Sequence, residues 1–319
     1  MRYLIAIVGP TAAGKTSVSL RIARNCNGEI VNADSRQIYR YMDIGTSKPS
    51  AEERRQVPHH LFDIINPDQP YSIALYRNAA KTIINDIQDR NAVPIVTGGS
   101  GLYVWSLLEN WTVPVVAQDD NFRRKLFAEA NEKGSESLYN RLINIDPDSA
   151  TKILPGNVRR IIRALEIFEM TGQPASCLRG KGSPSFPVLV IGLDMPRTDL
   201  YRLIDNRVDN MIKQGLIDEV RSIAGLGYNR ALPSMSSIGY KQIFEYLDGE
   251  IELDEAISRI KTKTHAFARR QYAWFHTDDS RIHWFNRMNL ERDVYRDIMT
   301  LIDAFTRGIK NGEIGNIFF

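Results

Sequence analysis

Tyr3-Leu4-Ile5-Ala6-Ile7-Val8-Gly9-Pro10-Thr11-Ala12-Ala13-Gly14-Lys15-Thr16 decides the fold. Residues 3–8 are a continuous β-rich apolar run, the mark of a strand buried on both faces in a parallel sheet. Residues 9–16 carry the spacing G-x-x-x-x-G-K-[ST], and residues 15–25 place Val18, Ile22 and Ala23 at helical spacing before the stop signal Gly28. Strand, glycine loop and helix in that order build a phosphate cradle. Backbone N–H groups and the positive end of the helix dipole converge on a polyphosphate, Lys15 adds a point charge, and the Thr16 hydroxyl is placed to ligand Mg²⁺.

The same alternation continues outward. A second strand, 29–32, ends at Ala33-Asp34-Ser35-Arg36-Gln37, and helix-like sequence over 72–89 precedes a third strand, 92–96, which runs into Thr97-Gly98-Gly99-Ser100-Gly101. Repeated strand, loop and helix predict a right-handed parallel α/β sheet flanked by helices. From about residue 118 the texture turns to helices only, expected over 119–131, 135–144 and 156–170, the last closed by Gly172. Residues 176–187 are rich in Gly, Ser and Pro and read as a linker, and the apolar run 188–194 returns to the sheet. The expected organisation is a P-loop core at 1–117, an all-helical insertion at 118–186, and a return to the core at 187–319, strand first and then mostly helix.

Composition excludes more than it selects. With 319 residues, 43% apolar and 25% charged, the chain has the usage of an ordinary globular protein. A net charge of +3 is too small to mark a nucleic-acid binder by balance alone. Cys26 and Cys177 stand far apart with no CxxC spacing, which argues against disulfide scaffolds and zinc ribbons. The short N-terminal apolar run is not a signal peptide, and no stretch approaches the roughly 20 apolar residues of a membrane span. These readings predict a soluble, cytoplasmic protein. His59 and His60 are adjacent, so in an extended segment they point opposite ways and make a poor metal site.

The cradle predicts phosphate without specifying ATP. P-loop hydrolases place a Walker-B aspartate at the end of an apolar strand. Here strand 92–96 runs into Thr97-Gly98-Gly99 with no acid, which leaves Asp194 as the one candidate. A pyrophosphate ester therefore suits the cradle as well as a nucleoside triphosphate does. Asp34 lies at the carboxyl end of the second strand, where open α/β sheets place their ligands. With Ser35, Arg36 and Gln37 it supplies a base, a hydroxyl, a cation and an amide in four residues.

At these residues the chain resembles the tRNA dimethylallyltransferases, also called tRNA isopentenyltransferases. The shared segments are residues 9–16, 32–40, Met42-Asp43-Ile44-Gly45-Thr46-Ser47-Lys48-Pro49, 58–63, 98–103, 157–166, 238–241 and 268–275, and they span almost the whole chain in the family's order. The resemblance implies that the P-loop holds the pyrophosphate of dimethylallyl pyrophosphate with Mg²⁺. It makes Asp34 the general base on the N6 amine of adenosine 37, in tRNAs reading codons that begin with U, and sets Ser35, Arg36 and Gln37 against the tRNA. It further implies tRNA, through its anticodon loop, and dimethylallyl pyrophosphate as partners; a monomer that needs no membrane is the accompanying expectation. Two positions depart from the family pattern: Ser100 replaces a common Thr but keeps a hydroxyl, and Lys241 replaces a more usual Arg and loses the bidentate fork.

Arg207 is four residues from both Leu203 and Met211 on the apolar stripe of a helix expected over 200–214, so it should face inward. The family gives the matching arginine to pyrophosphate, and Lys15 and Arg207 join Asp34 as candidate catalytic residues. Arg159, Arg160 and Arg163 lie opposite the apolar Val158, Ile161, Ile162 and Leu165, and with Arg123, Ser100 and Lys241 they are the expected tRNA contacts. Residues 256–276 carry Arg259, Lys261, Lys263, Arg269 and Arg270 without an acid, interleaved with Phe267, Tyr272 and Trp274, a mixture suited to RNA. Other readings stay open at this point: a P-loop small-molecule kinase, a prenyltransferase of free adenine nucleotides, and a non-enzymatic RNA-binding module.

Overall fold

The computed structural model describes residues 1–114, 116–288, 293–315 and 318. The chain forms two compact units, one of Met1–Leu108 with Ser183–Phe319 and the other of Glu109–Gly182.

The first unit is built on one all-parallel sheet of six strands: β1 (Leu4–Val8), β2 (Gly28–Asn32), β3 (His59–His60), β4 (Val93–Thr97), β5 (Val188–Asp194) and β6 (Ile282–Asn286), in the spatial order β3-β2-β4-β1-β5-β6. Every residue of β1 and β2 is buried; β1 reads as an unbroken apolar run, whereas β2 also buries Glu29, paired with Arg90 and His60, and Asn32, bonded to Asp34 and Leu61. β1 pairs with β4 (Ile5↔Ile95) on one side and with β5 (Leu4↔Val188) on the other. The chain leaves β1 toward β2 and later returns past it to β5, so the carboxyl ends of β1 and β4 border a topological switch point, where such sheets bind ligands. Ile5, Ile7, Ile22, Ile30, Ile95, Leu189, Ile191 and Phe305 share the core that holds the sheet to its helices. A second cluster, centred on Met42, Val208, Tyr240 and Ile243, packs the Arg197–Lys213 helix and its neighbours.

Two strands escape the sequence reading. β3 is two histidines long and pairs with β2 through Ile30↔His59, with His60 Nε2 lying 2.7 Å from Glu29 Oε2. β6 lies in the stretch after residue 197 expected to be mostly helical, and it extends the sheet beside β5. His, Trp and Asn in a five-residue run carry little apolar signal; pairing with β5 supplies what the sequence lacks.

The second unit contains helices Asp120–Lys133, Ser135–Ile145, Pro147–Ala150 and Val158–Thr171 around Leu126, Leu138, Leu142, Ile161, Ile162 and Leu165. The Val158–Thr171 helix ends on Gly172 in the left-handed conformation, φ 68°. This unit starts before the expected 118 and ends before 186. The reason is local: Thr112 N–H donates to Gly180 O at 2.9 Å and Gly182 N–H donates to Glu109 O at 2.8 Å, so the two incoming chain ends bond to each other.

Candidate active site

The site grows from the ends of three strands. After β1 the chain enters residues 9–16, and the Lys15–Asn25 helix begins directly from Gly14 at φ 79°. A side chain at 14 is strained by that φ and would also meet Arg287, whose Nη1 donates to Ala13 O at 2.9 Å. After β4, Gly98 passes so close to β2 that a Cβ would lie 2.2 Å from the Ala33 carbonyl. Gln271, buried at 3% exposure, ties the two loops: its Oε1 accepts from Thr11 N–H at 2.7 Å and its Nε2 donates to Gly99 O at 3.0 Å.

These loops line a cavity of about 420 Å³. Thr11, Ala12, Gly14, Lys15 and Thr16 bring the cradle; Asp34, Arg36 and Gln37 come from the end of β2; Arg207 comes from the Arg197–Lys213 helix. Ile204, Val208, Met211, Ile260 and Phe267 supply an apolar lining that the sequence alone did not assign to a ligand. Lys15 Nζ donates to Gly9 O at 3.0 Å and Pro10 O at 2.7 Å. Burial pushes the Lys15 pKa down to about 8, with Asp34 acting against the shift and Arg207 adding to it. Burial also pushes Arg207 below its ordinary value, and Asp34 again opposes it. The Arg207 guanidinium has no hydrogen-bond or ion-pair partner among the described residues, although a desolvated cation without one is costly. The Thr16 hydroxyl likewise lines the cavity without a partner among them.

Asp34 is held rigidly. Its N–H donates to Asn32 Oδ1 at 2.9 Å, and the fully buried Asn32 returns Nδ2 to Asp34 O at 3.1 Å and to Leu61 O at 3.0 Å. Asp34 Oδ1 accepts from Arg36 N–H at 2.8 Å, while Oδ2 accepts from no described residue. Ser35 N–H donates to Ser100 Oγ at 2.9 Å, so Ser100 fixes the Asp34 loop from behind and is absent from the cavity lining. Asp194 stands apart too: its Oδ1 accepts from Met195 N–H at 2.7 Å and from the Tyr272 hydroxyl, and it does not line the cavity. Among the described residues no group of three or more His, Cys, Asp and Glu could hold a metal.

Residues 37–278 match the family described as IPP transferase, and residues 2–62 match isopentenyl transferase. This chain belongs to the IPP transferase family. Like it is the tRNA dimethylallyltransferase of Roseiflexus castenholzii, 51% identical over 272 residues, 85% of this chain and 89% of that one. The tRNA dimethylallyltransferase of Dehalococcoides mccartyi is 44% identical over 302 residues, 95% and 92% of the two chains. Among solved structures, the tRNA isopentenylpyrophosphate transferase of Bacillus halodurans superposes with a TM-score of 0.71 at 37% identity, covering 98% of this chain and all of that one. A eukaryotic dimethylallyltransferase acting on tRNA gives 0.78 at 26% identity, over 96% of this chain and 80% of the other.

The expected nucleic-acid contacts of this IPP transferase divide in two. In the second unit, Arg123 Nε and Nη2 donate to Glu166 Oε1 and Oε2 at 2.8 and 2.7 Å, and Arg163 pairs with Glu166 Oε2 and donates to Val116 O at 3.0 Å. Glu166 is fully buried; burial alone would raise its pKa, and the bonds from Arg123 and Arg163 outweigh that and hold it below the usual carboxylate value. Arg123 and Arg163 therefore neutralise a core carboxylate, whereas Arg159 and Arg160 are exposed with guanidinium groups unpaired among the described residues.

A similar sorting applies to the Leu253–Tyr272 helix of the first unit. Arg259 pairs with Glu255 and Glu245, Lys261 with Asp209, and Arg269 donates to the Tyr201 hydroxyl. Tyr272 bonds Asp194, and Trp274 packs where a Cβ on Gly101 would stand 2.2 Å away, so of the three aromatics only Phe267 lines the cavity. Arg270 lines it as well, unpaired among the described residues, and Lys241 is exposed with Glu245 3.7 Å away. Among the described residues no helix is long and apolar enough to cross a membrane.

Proposed function

We propose that this chain transfers the dimethylallyl group of dimethylallyl pyrophosphate to N6 of adenosine 37 in tRNAs reading codons that begin with U, releasing pyrophosphate and N6-dimethylallyladenosine. One observation carries the reading: a single cavity joins a phosphate cradle, an unpaired arginine, an apolar lining and a rigidly held carboxylate. The apolar residues suit a five-carbon allylic chain, which a kinase acting on a polar alcohol would not need.

In the reaction the N6 lone pair forms a bond to the allylic carbon as the bond from that carbon to the pyrophosphate oxygen breaks. Asp34 takes the N6 proton. Charge growing on the leaving group is met by Lys15, Arg207 and the N–H groups of Ala12, Gly14, Lys15 and Thr16, while those of Thr11 and Ala13 hold the loop through Gln271 and Pro10. The Thr16 hydroxyl suits Mg²⁺, which commonly takes one or two protein ligands and completes its shell with phosphate oxygens and water. Bound there, Mg²⁺ would supply charge neutralisation at the diphosphate. Arg36, Arg159 and Arg160 are cations for the RNA backbone, whose contacts offset the few kcal/mol needed to turn a base out of its stack. The reading extends to a monomer acting in the cytoplasm.

Purified protein incubated with Mg²⁺, dimethylallyl pyrophosphate and unmodified tRNA should yield prenylated adenosine, and Asp34→Ala should lower turnover by about 10²-fold or more while sparing tRNA binding. Hydrolysis of ATP with no prenyl transfer would reverse the conclusion.

A further inference from the structure

Glu219, on the Leu216–Gly225 helix, is engaged with a loop far from it in sequence. Its Oε2 accepts from Asp43 N–H at 3.0 Å and Ile44 N–H at 2.7 Å, and its Oε1 accepts from Gly45 N–H at 3.2 Å and the Tyr240 hydroxyl at 2.5 Å. Three successive backbone N–H groups converging on one anion form a nest, here filled by a side chain of the same protein. The loop is locked from other directions. A Cβ at Gly45 would lie 2.5 Å from the Tyr240 ring, and Lys48, with its side chain 2% exposed, pairs with Asp43 at 2.7 Å.

The loop in turn holds Gln37. Gln37 Nε2 donates to Thr46 O at 2.9 Å and Ser47 O at 3.0 Å, and Gln37, Gly45, Thr46 and Ser47 all line the cavity. Both amide protons are thereby used. The opposite amide orientation would set Oε1 against two carbonyl oxygens, so the network fixes which end is which. Oε1 accepts from no described residue, and Gln37 meets a ligand as an acceptor. Asp34, the proposed base, is an acceptor too. An exocyclic amine carries two N–H groups and satisfies both; a carbonyl oxygen in its place faces two acceptors and leaves them unpaired.

We propose that Glu219 is a positioning residue for acceptor choice: by fixing residues 43–47 it holds Gln37 as a hydrogen-bond acceptor and so selects an amino over a carbonyl group on the purine. The inference rests on the acceptor assignment made above.

The test compares tRNA bearing adenosine at the acceptor position, as substrate, with the same tRNA bearing inosine there, as competitive inhibitor. For Glu219→Ala, the ratio of the inosine Ki to the adenosine KM should fall roughly tenfold, the size expected for one lost polar contact. Affinity for inorganic pyrophosphate should stay within about twofold, and Glu219→Gln, which keeps an acceptor for Gly45 and Tyr240, should recover part of the ratio. Gln37→Met removes the acceptor while leaving Glu219 in place and should abolish the same discrimination. An unchanged ratio in Glu219→Ala or in Gln37→Met overturns the proposal, as does a ratio that falls only together with pyrophosphate affinity and thermal midpoint. Failure of the wild type to prenylate the adenosine tRNA would instead count against the proposed reaction.

Discussion

Arg207 in the first unit and Arg123 in the second are alike in sequence: each sits within a helix near an apolar stripe, and each is a candidate for an anionic substrate. Their surroundings are opposite. Arg123 meets a buried carboxylate through two bonds and shares it with Arg163, while Arg207 lines a cavity beside Lys15 with no partner among the described residues. A cation whose charge the protein already balances has little left for a ligand. One held partly desolvated with no direct ion-pair partner, only the nearby Asp34 opposing the shift, carries a cost that a bound anion relieves. The contrast distinguishes an arginine already paired within the protein from one left open toward a cavity.

The comparison can be broken at several points. Arg207→Ala should lower kcat/KM by about 10²-fold, as expected for loss of one preorganised charge at a leaving group, with the thermal midpoint unchanged or raised. Arg207→Lys should recover little of that, because an ammonium lacks the planar fork. An active Arg207→Ala enzyme would leave the cavity arginine with no role.

In the second unit the large effect should fall on stability. Glu166→Ala leaves Arg123 and Arg163 facing each other across a fully buried position, and unfolding by denaturant should show a loss of about 2–4 kcal/mol, at the low end of a broken buried pair because both arginines reach solvent. Stability within about 0.5 kcal/mol of wild type would show that the clamp is ornamental.

A smaller effect is expected from pH. Lys15 titrates near 8 in the folded protein, below its unfolded value, so its charged form is disfavoured until an anion arrives. Pyrophosphate should restore the proton, so binding should take up protons and weaken as pH rises through about 8, by up to about tenfold per unit. Calorimetry in two buffers of different ionisation enthalpy reads this directly, and proton release would contradict it. By the same linkage the ligand-free protein gains stability from Lys15 only above its unfolded pKa and loses that contribution as pH falls toward 8. The smallest change should come from Arg159→Ala and Arg160→Ala, each reducing the salt dependence of tRNA binding by about one unit of slope with stability unaltered. Arg123→Ala, by contrast, should move stability first.

Much of the scaffold was legible in advance because burial writes itself into composition. β1 and β5 are buried almost throughout and appear as apolar runs, β2 and β4 carry shorter apolar stretches, and the cradle's Gly9 and Gly14 answer to local backbone geometry. β3 and β6 were not legible, since two histidines and a mixed run become strands only when an existing edge offers its hydrogen bonds. Gln271 lay within a recognised segment, yet nothing local marks it as the bridge between residues 11 and 99. Part of the basic run of the Leu253–Tyr272 helix is paired within the protein in a way only partly visible along the chain: Lys261 and Arg259 meet Asp209 and Glu245 on other helices, and Arg259 also meets Glu255 on its own.

By itself, the sequence determined that this protein has a parallel sheet, a glycine loop of phosphate-cradle spacing after its first strand and a carboxylate at the end of its second. These follow from forces that act along the chain: apolar burial, backbone freedom at glycine, and a helix dipole. Only the tertiary structure decided which arginine is spent on Glu166 and which lines the cavity, and which end of Gln37 is tied to the loop at Thr46 and Ser47. Charge and hydrogen bonding are settled by whichever group arrives within a few ångströms, and that neighbour is chosen by folding, not by adjacency in the chain.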